Sequence, residues 1–246
     1  MKLVAPAPNV ENQEFADATA QGKLLLQVGK FGMGTEGSLS EKYLGNPTDV
    51  HVDPASNEAF IADGYWNRRV IVIDAKTGVY KRMWGAYGEP VEKTKAGYSV
   101  PYDPAAPLQR SFGSAVHCIE GSRDGLLYVC DRQNNRIQVF KKDGTFIKEA
   151  SVAPQTMRGS VLDIAFSKDK DQTWMFVADG RNEKVWILRK SDMKVVGSFG
   201  SAGHFGGQFT IAHNIAIDSK NNVYVTESLT GQRIQRFLYK GLRPQL

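Results

Sequence analysis

The amino-acid sequence predicts an all-β fold of the propeller type, and three observations predict it. A unit of apolar run, polar turn, apolar run ending in an acid, Asn-rich turn and alternating run occurs four times. Its acids, Asp63, Asp131, Asp179 and Glu227, stand 68, 48 and 48 residues apart. No stretch repeats apolar residues at i, i+3 and i+4 over three turns, as a surface helix requires. Repeats of roughly 40–50 residues made of four short strands are the signature of propeller blades.

The elements follow in chain order. Residues 1–22 read as an N-terminal extension and 23–246 as the propeller. KLLLQVGKFG (23–32) has the character of a blade's fourth strand. It is expected to complete the last blade and so remove an exposed sheet edge. The first repeat (about 47–85) contains PTDVHVD, EAFIAD and RVIVID, then YKRMWG as its fourth strand. Residues 86–111, rich in Gly, Tyr and Pro, form an insertion loop and account for the larger first spacing. The second repeat (about 112–152) carries LYV and the alternating RIQVF, closed by TFIKEASV. The third (about 159–200) carries MFV and KVWIL, closed by KVVGSFG. The fourth (about 209–241) has no closing strand of its own. Period-two alternation marks half-buried strands, and SRDG, KKDG and SKNN supply the turns.

Composition fits this reading. With 41% apolar residues in 246, the chain can bury a sizeable core, which excludes wholesale disorder. No run approaches the roughly 20 apolar residues that span a bilayer. The start lacks the apolar run of a secretory signal. The net charge is +5, with the basic residues spread along the chain. Dispersed charge reads as a solvated surface and disfavours nucleic acid as partner. The four acids recur in every repeat, so they read as scaffold that caps the turns. Trp84, Trp174 and Trp186 read as packing between blades; Trp66, next to Tyr65, reads as packing, with a place at the channel mouth as the alternative. Cys118 and Cys130 fall opposite each other on a hairpin. Two buried free thiols are the favoured reading and a disulfide the alternative.

The pattern VYV-D-x-x-N-x-RI-x-x-F, recurring over residues 23–241, resembles the NHL repeat. Within that class, NPTDV…FIADGYWNRRV, SAVHC…YVCDRQNNRIQVF and AHNIAID…VYVTES resemble the peptidyl-α-hydroxyglycine α-amidating lyases and their bacterial relatives. The resemblance implies a six-bladed propeller that cleaves the C–N bond of a C-terminal α-hydroxyglycine, giving a peptide amide and glyoxylate. It implies a central zinc held by three histidines, a calcium deeper in the channel, and export from the cytoplasm. His117 and His213 fall on zinc-ligand positions, with Thr48 and Leu162 at the equivalent places of the other two repeats. Tyr65 falls on the family's active-site tyrosine and Arg132 on an active-site arginine. The residue types suit the chemistry: imidazoles ligate zinc, a tyrosine can act as base, and an arginine clamps a carboxylate.

The sequence also departs from the family. The third histidine and a second arginine belong to a blade before the first repeat, and residues 1–46 contain no histidine. His51 lies three residues past the ligand register. His204 lies in a Gly-rich loop. Asn214 follows His213 where the family has Asp. Two readings stay open: a six-blade type shortened by about two blades, or a compact ring closed by residues 23–28. Two functions stay open as well. One is a zinc-dependent carbon–nitrogen lyase acting as a monomer on a small-molecule or peptide ligand in the channel. The other is a scaffold that binds a protein, a peptide or, with less support from charge, RNA.

Overall fold

The computed structural model describes residues 14–16, 21–91, 101–157 and 159–241. Four antiparallel sheets follow one another, each a meander in chain order. A two-stranded ribbon precedes them, formed by β1 (Glu14–Ala16) and β2 (Gln21–Lys23). Blade 1 comprises β3 (Asp49–Asp53), β4 (Glu58–Asp63), β5 (Arg69–Asp74) and β6 (Tyr80–Trp84). Blade 2 comprises β7 (Val116–Gly121), β8 (Leu127–Asp131), β9 (Arg136–Phe140) and β10 (Phe146–Ser151). Blade 3 comprises β11 (Asp163–Phe166), β12 (Trp174–Asp179), β13 (Lys184–Arg189) and β14 (Val195–Phe199). Blade 4 has β15 (Ala212–Ile217), β16 (Val223–Glu227) and β17 (Ile234–Phe237). The helical elements among the described residues are two three-residue 3-10 turns, Gly34–Glu36 and Ala86–Gly88.

Alternation along each strand decides what packs where. The innermost strands β3, β7, β11 and β15 pack in that order. Apolar cores fill the spaces between successive sheets. Phe60, Val70, Val72 and Trp84 of blade 1 meet Phe112, Ile119, Leu127 and Val129. Tyr128, Cys130 and Val139 of blade 2 meet Ile164, Phe166, Met175 and Val177. Phe176 and Val185 of blade 3 meet Phe209, Ile215, Ile217 and Val225. The tryptophans take the expected places: Trp84 is buried in the first of these cores, and Trp186 and Trp174 pack against the second and third.

The blade acids are scaffold. Asp63 accepts the Gly45 N–H at 2.6 Å and hydrogen bonds from Asn67 and Arg69. The Arg69 guanidinium then donates to the carbonyls of Ser38, Ser40 and Tyr43. Asp131 repeats the plan with the Gly113 N–H, Asn134 and Arg136. In blade 3 the buried Asp179 takes Asn182 and the Trp186 indole N–H instead. In blade 4 Glu227 takes the Thr210 N–H and Arg233. Buried charges persist only when paired and hydrogen-bonded. In blades 1, 2 and 4 the acid ties down the loop that leads into its own blade.

Two expectations are corrected. Residues 24–32 form no strand, and blade 4 has three strands among the described residues. Leu26 and Val28 approach Gly78 on blade 1, and Val28 and Leu44 pack against Ala59, Ile61, Ile71 and Ile73. Residues 24–28 thus lie against blade 1 and do not pair with β17, so they do not close a ring. The two cysteines are bonded to each other. Cys118 and Cys130 are register partners on β7 and β8 with Cα atoms 4.8 Å apart, inside the range a disulfide needs. The two cysteines are opposite each other as expected, and a disulfide replaces the expected free thiols. No helix among the described residues is long and apolar enough to cross a membrane.

Candidate functional site

Two β-bulges aim the histidines. The β7–β8 register shifts between Val116 and Cys118, and the β15–β16 register between Ala212 and Asn214. His117 and His213 are the extra residues. A bulge re-aims the side chain it carries, and bulges concentrate beside functional sites. The two rings come together across the innermost strands, centroids 4.9 Å apart and edge-on. Thr48 lies in the same register on blade 1 and donates to the Val116 carbonyl at 2.6 Å, bracing the first bulge.

Tyr65 reaches the pair because Gly64 allows it. A Cβ at Gly64 would lie 1.9 Å from the Val116 carbonyl oxygen, so only glycine lets this turn press against blade 2. The Tyr65 ring then sits 6.2 Å from His117, again edge-on. Arg132, in the corresponding turn of blade 2, stacks on Tyr65 at 5.3 Å and donates to its hydroxyl oxygen at 3.3 Å. Its Nη2 donates to the Ser114 carbonyl, while Nε is buried without a partner among the described residues. Asp131 is engaged with Arg136, so Arg132 keeps donors free to hold an anion. Side chains from three blades, all singled out from sequence, thus meet at one place.

The electrostatics differ between the histidines. His117 is buried, and its Nδ1 lies 2.6 Å from the Leu162 carbonyl. Burial pulls its pKa down to about 4, and the nearby Arg132 charge acts in the same direction. His117 is therefore neutral at pH 7. A carbonyl only accepts, so Nδ1 carries the proton and Nε2 is a bare lone pair. His213 lies at the opening, with Nδ1 2.8 Å from the Asn214 side-chain oxygen. In the metal-free protein, ring NMR signals of His117 should titrate near pH 4, and a midpoint near 6.5 contradicts this burial account. The unfolded chain protonates this group at the higher pH. His117 therefore removes stability as pH falls from about 6.5 to about 4.

Three carboxylates on the innermost strands β3, β7 and β11 were missed from the sequence. Asp49 accepts the Ile119 N–H and Asp163 the Ile215 N–H, each bonding across to the next blade. Glu120 projects beside His51, whose Nδ1 is 3.9 Å away. Burial raises all three, and the Asp49 charge adds to the rise at Glu120 and Asp163, each pushed to about 7. The signal was present, since Asp49 and Asp163 each follow the histidine register in alternate repeats. A raised carboxyl binds a proton in the folded state that the unfolded chain has released, so Asp163 lowers stability as pH rises from about 4 to about 7. Asp163→Asn should therefore gain melting temperature relative to the parent at pH 8 compared with pH 5. An equal difference at both pH values contradicts it.

The chemistry of the donor set fits part of a zinc site. Two imidazoles with Nδ1 engaged elsewhere present Nε2, as zinc-binding histidines do. Among the described residues, no group of three or more His, Cys, Asp or Glu side chains could hold a metal ion. His51 points to Glu120 and Gly121, and exposed His204 hydrogen-bonds Thr210. Neither supplies a third ligand.

The chain matches peptidyl-glycine alpha-amidating monooxygenase B of Xenopus laevis at 28% identity over 201 residues, 76% of this chain and 20% of that protein. The chain is similar to the peptide-amidating enzymes. A second Xenopus laevis form, monooxygenase A, is 33% identical over 138 residues, covering 51% of this chain and 13% of that one. The rat enzyme is 28% identical over 130 residues, covering 52% of this chain and 11% of that one. The chain spans about a fifth or less of the length of these curated relatives. No protein-family model matches it. Among solved structures, the RRP9 WD40 repeats give a TM-score of 0.51 at 13% identity, with 78% of this chain and 51% of that chain covered. Hydrazine synthase of Kuenenia stuttgartiensis gives 0.51 at 15% identity, with 80% and 46% covered. These likenesses show the fold alone. Among the described residues the chain forms four β-propeller blades, and its sequence is similar to the peptide-amidating enzymes.

Proposed function

We propose that the blades are of the NHL type found in six-bladed amidating lyases, and that the chain cleaves peptidyl-α-hydroxyglycine to a peptide amide and glyoxylate. The observation that carries this reading is the convergence of Tyr65, His117, Arg132 and His213 from blades 1, 2 and 4. Arg132 binds the substrate carboxylate with its spare donors. Tyr65, held against His117 and under the guanidinium, is the base that takes the hydroxyl proton. As that proton leaves, the C–O bond becomes a carbonyl and the C–N bond breaks. The nitrogen takes up a proton to become the peptide amide.

His117 and His213 would hold a zinc ion by Nε2, and a bound zinc supplies Lewis-acid polarisation at this point. No ligand set among the described residues is assigned to calcium. The buried neutral state of His117 keeps its Nε2 available at physiological pH. The ligand is a peptide end at the channel mouth, and the protein acts as a monomer. Export to an oxidising compartment belongs to the same reading and is supported by the Cys118–Cys130 disulfide.

The test is incubation with a short peptide ending in α-hydroxyglycine, with glyoxylate and peptide amide quantified together. Equal yields of both, above the spontaneous rate, are expected. Peptide binding without glyoxylate would replace the lyase with a scaffold that retains the cleft for recognition.

A further inference from the structure

We infer that Asn214 is the positioning residue for His213, and that Asp163 of the neighbouring blade orients Asn214 in turn. The purpose of this device rests on the lyase reading; its geometry stands without it.

His117 and His213 face the same requirement. Each must keep its proton on Nδ1 so that Nε2 is bare toward the space between the rings. For His117 the backbone settles the matter, because its Nδ1 partner is the Leu162 carbonyl, which can only accept. For His213 the partner is a side-chain amide, which has an accepting end and a donating end. Whichever end faces the ring decides which nitrogen carries the proton.

Asp163 makes that choice. Its Oδ2 lies 3.4 Å from Nδ2 of Asn214 and also accepts the Ile215 N–H at 2.9 Å. Its other oxygen accepts the Ile164 N–H at 2.8 Å. A carboxylate held in this way only accepts, so Asn214 turns its NH2 toward Asp163 and its oxygen toward His213. The His213 Nδ1 then donates across 2.8 Å, and Nε2 is left as the lone pair. The chain Asp163–Asn214–His213 crosses from β11 to β15. It does for the opening-side histidine what a backbone carbonyl does for the buried one. Partners of this kind set tautomer and ring orientation, and their loss typically costs about 10–100-fold in metal affinity.

The experiment reads the tautomer directly by long-range 1H–15N correlation of the histidine rings. It uses metal-free full chain at pH 8, above the range in which Asp163 titrates. In the parent, both His117 and His213 should be Nδ1–H. In Asn214→Leu, His213 should change to the Nε2–H form that an unconstrained histidine side chain prefers, while His117 stays Nδ1–H and reports an intact fold. Asn214→Asp keeps an acceptor and should retain the parent tautomer. Asp163→Asn should give a mixture at His213. Titration with zinc alone should show about a 10–100-fold weaker affinity in Asn214→Leu and recovery in Asn214→Asp. His213 remaining Nδ1–H in Asn214→Leu, with His117 unchanged, overturns the proposal. Failure of the parent to bind zinc would count against the lyase reading alone, because the tautomer measurement needs no metal.

Discussion

Arg136→Met is expected to destabilise the folded chain by about 3–5 kcal/mol, the usual loss when one partner of a buried ion pair is removed. Arg136 and Asp131 are both fully buried, with Nε 2.8 Å from the carboxylate. The same guanidinium donates to the Tyr87 hydroxyl and the Ser111 carbonyl, holding the loop that leads into blade 2. Methionine fills much of the space and supplies none of those donors. Asp131 keeps the Gly113 N–H and Asn134, so its charge stays hydrogen-bonded but uncompensated. Urea unfolding of the parent, Arg136→Met and the double variant with Asp131→Asn measures this. The double variant should recover part of the loss, because the unpaired charge is gone. A loss below about 1 kcal/mol in the single variant would mean that water reaches the pair, as at an exposed bridge.

Tyr65→Phe is expected to lower kcat for glyoxylate release by about 10²–10⁴-fold, the range for loss of a positioned base, with KM nearly unchanged. Phenylalanine keeps the ring that packs edge-on to His117 and beneath Arg132, so melting temperature should hold. Arg132→Met should show the other pattern, with KM raised because the carboxylate clamp is lost. Equal loss of kcat in a Tyr65→Phe variant that has also lost its melting temperature would assign the residue to packing instead.

The blades were legible in the sequence because half-buried strands alternate and the turns repeat their polar residues at fixed places. The site was legible only through resemblance, which placed Tyr65, His117, Arg132 and His213. What brings them together was hidden. A bulge at His117 or His213 adds one residue without a compositional mark. The role of Gly64 depends on a carbonyl from the next blade. The partner of His117 is the backbone of Leu162, which no side-chain pattern reveals. The segment KLLLQVGKFG misled because its apolar residues suit a closing strand and a covering segment equally. In the structure Val28 packs against Ile61 and Ile71, so the segment covers blade 1. The cysteine pairing followed from hairpin symmetry, but opposition on neighbouring strands does not itself say whether two thiols are bonded.

We propose that His117 and His213 form the protein part of one metal-centred site. Zinc content of the purified chain by inductively coupled plasma mass spectrometry, beside a chelated control and the His117→Ala/His213→Ala variant, tests it most directly. About one zinc per chain is expected in the parent and none above the control in the folded double variant. Zinc at the control level in the parent after incubation with the metal, or equal zinc in parent and double variant, would contradict it.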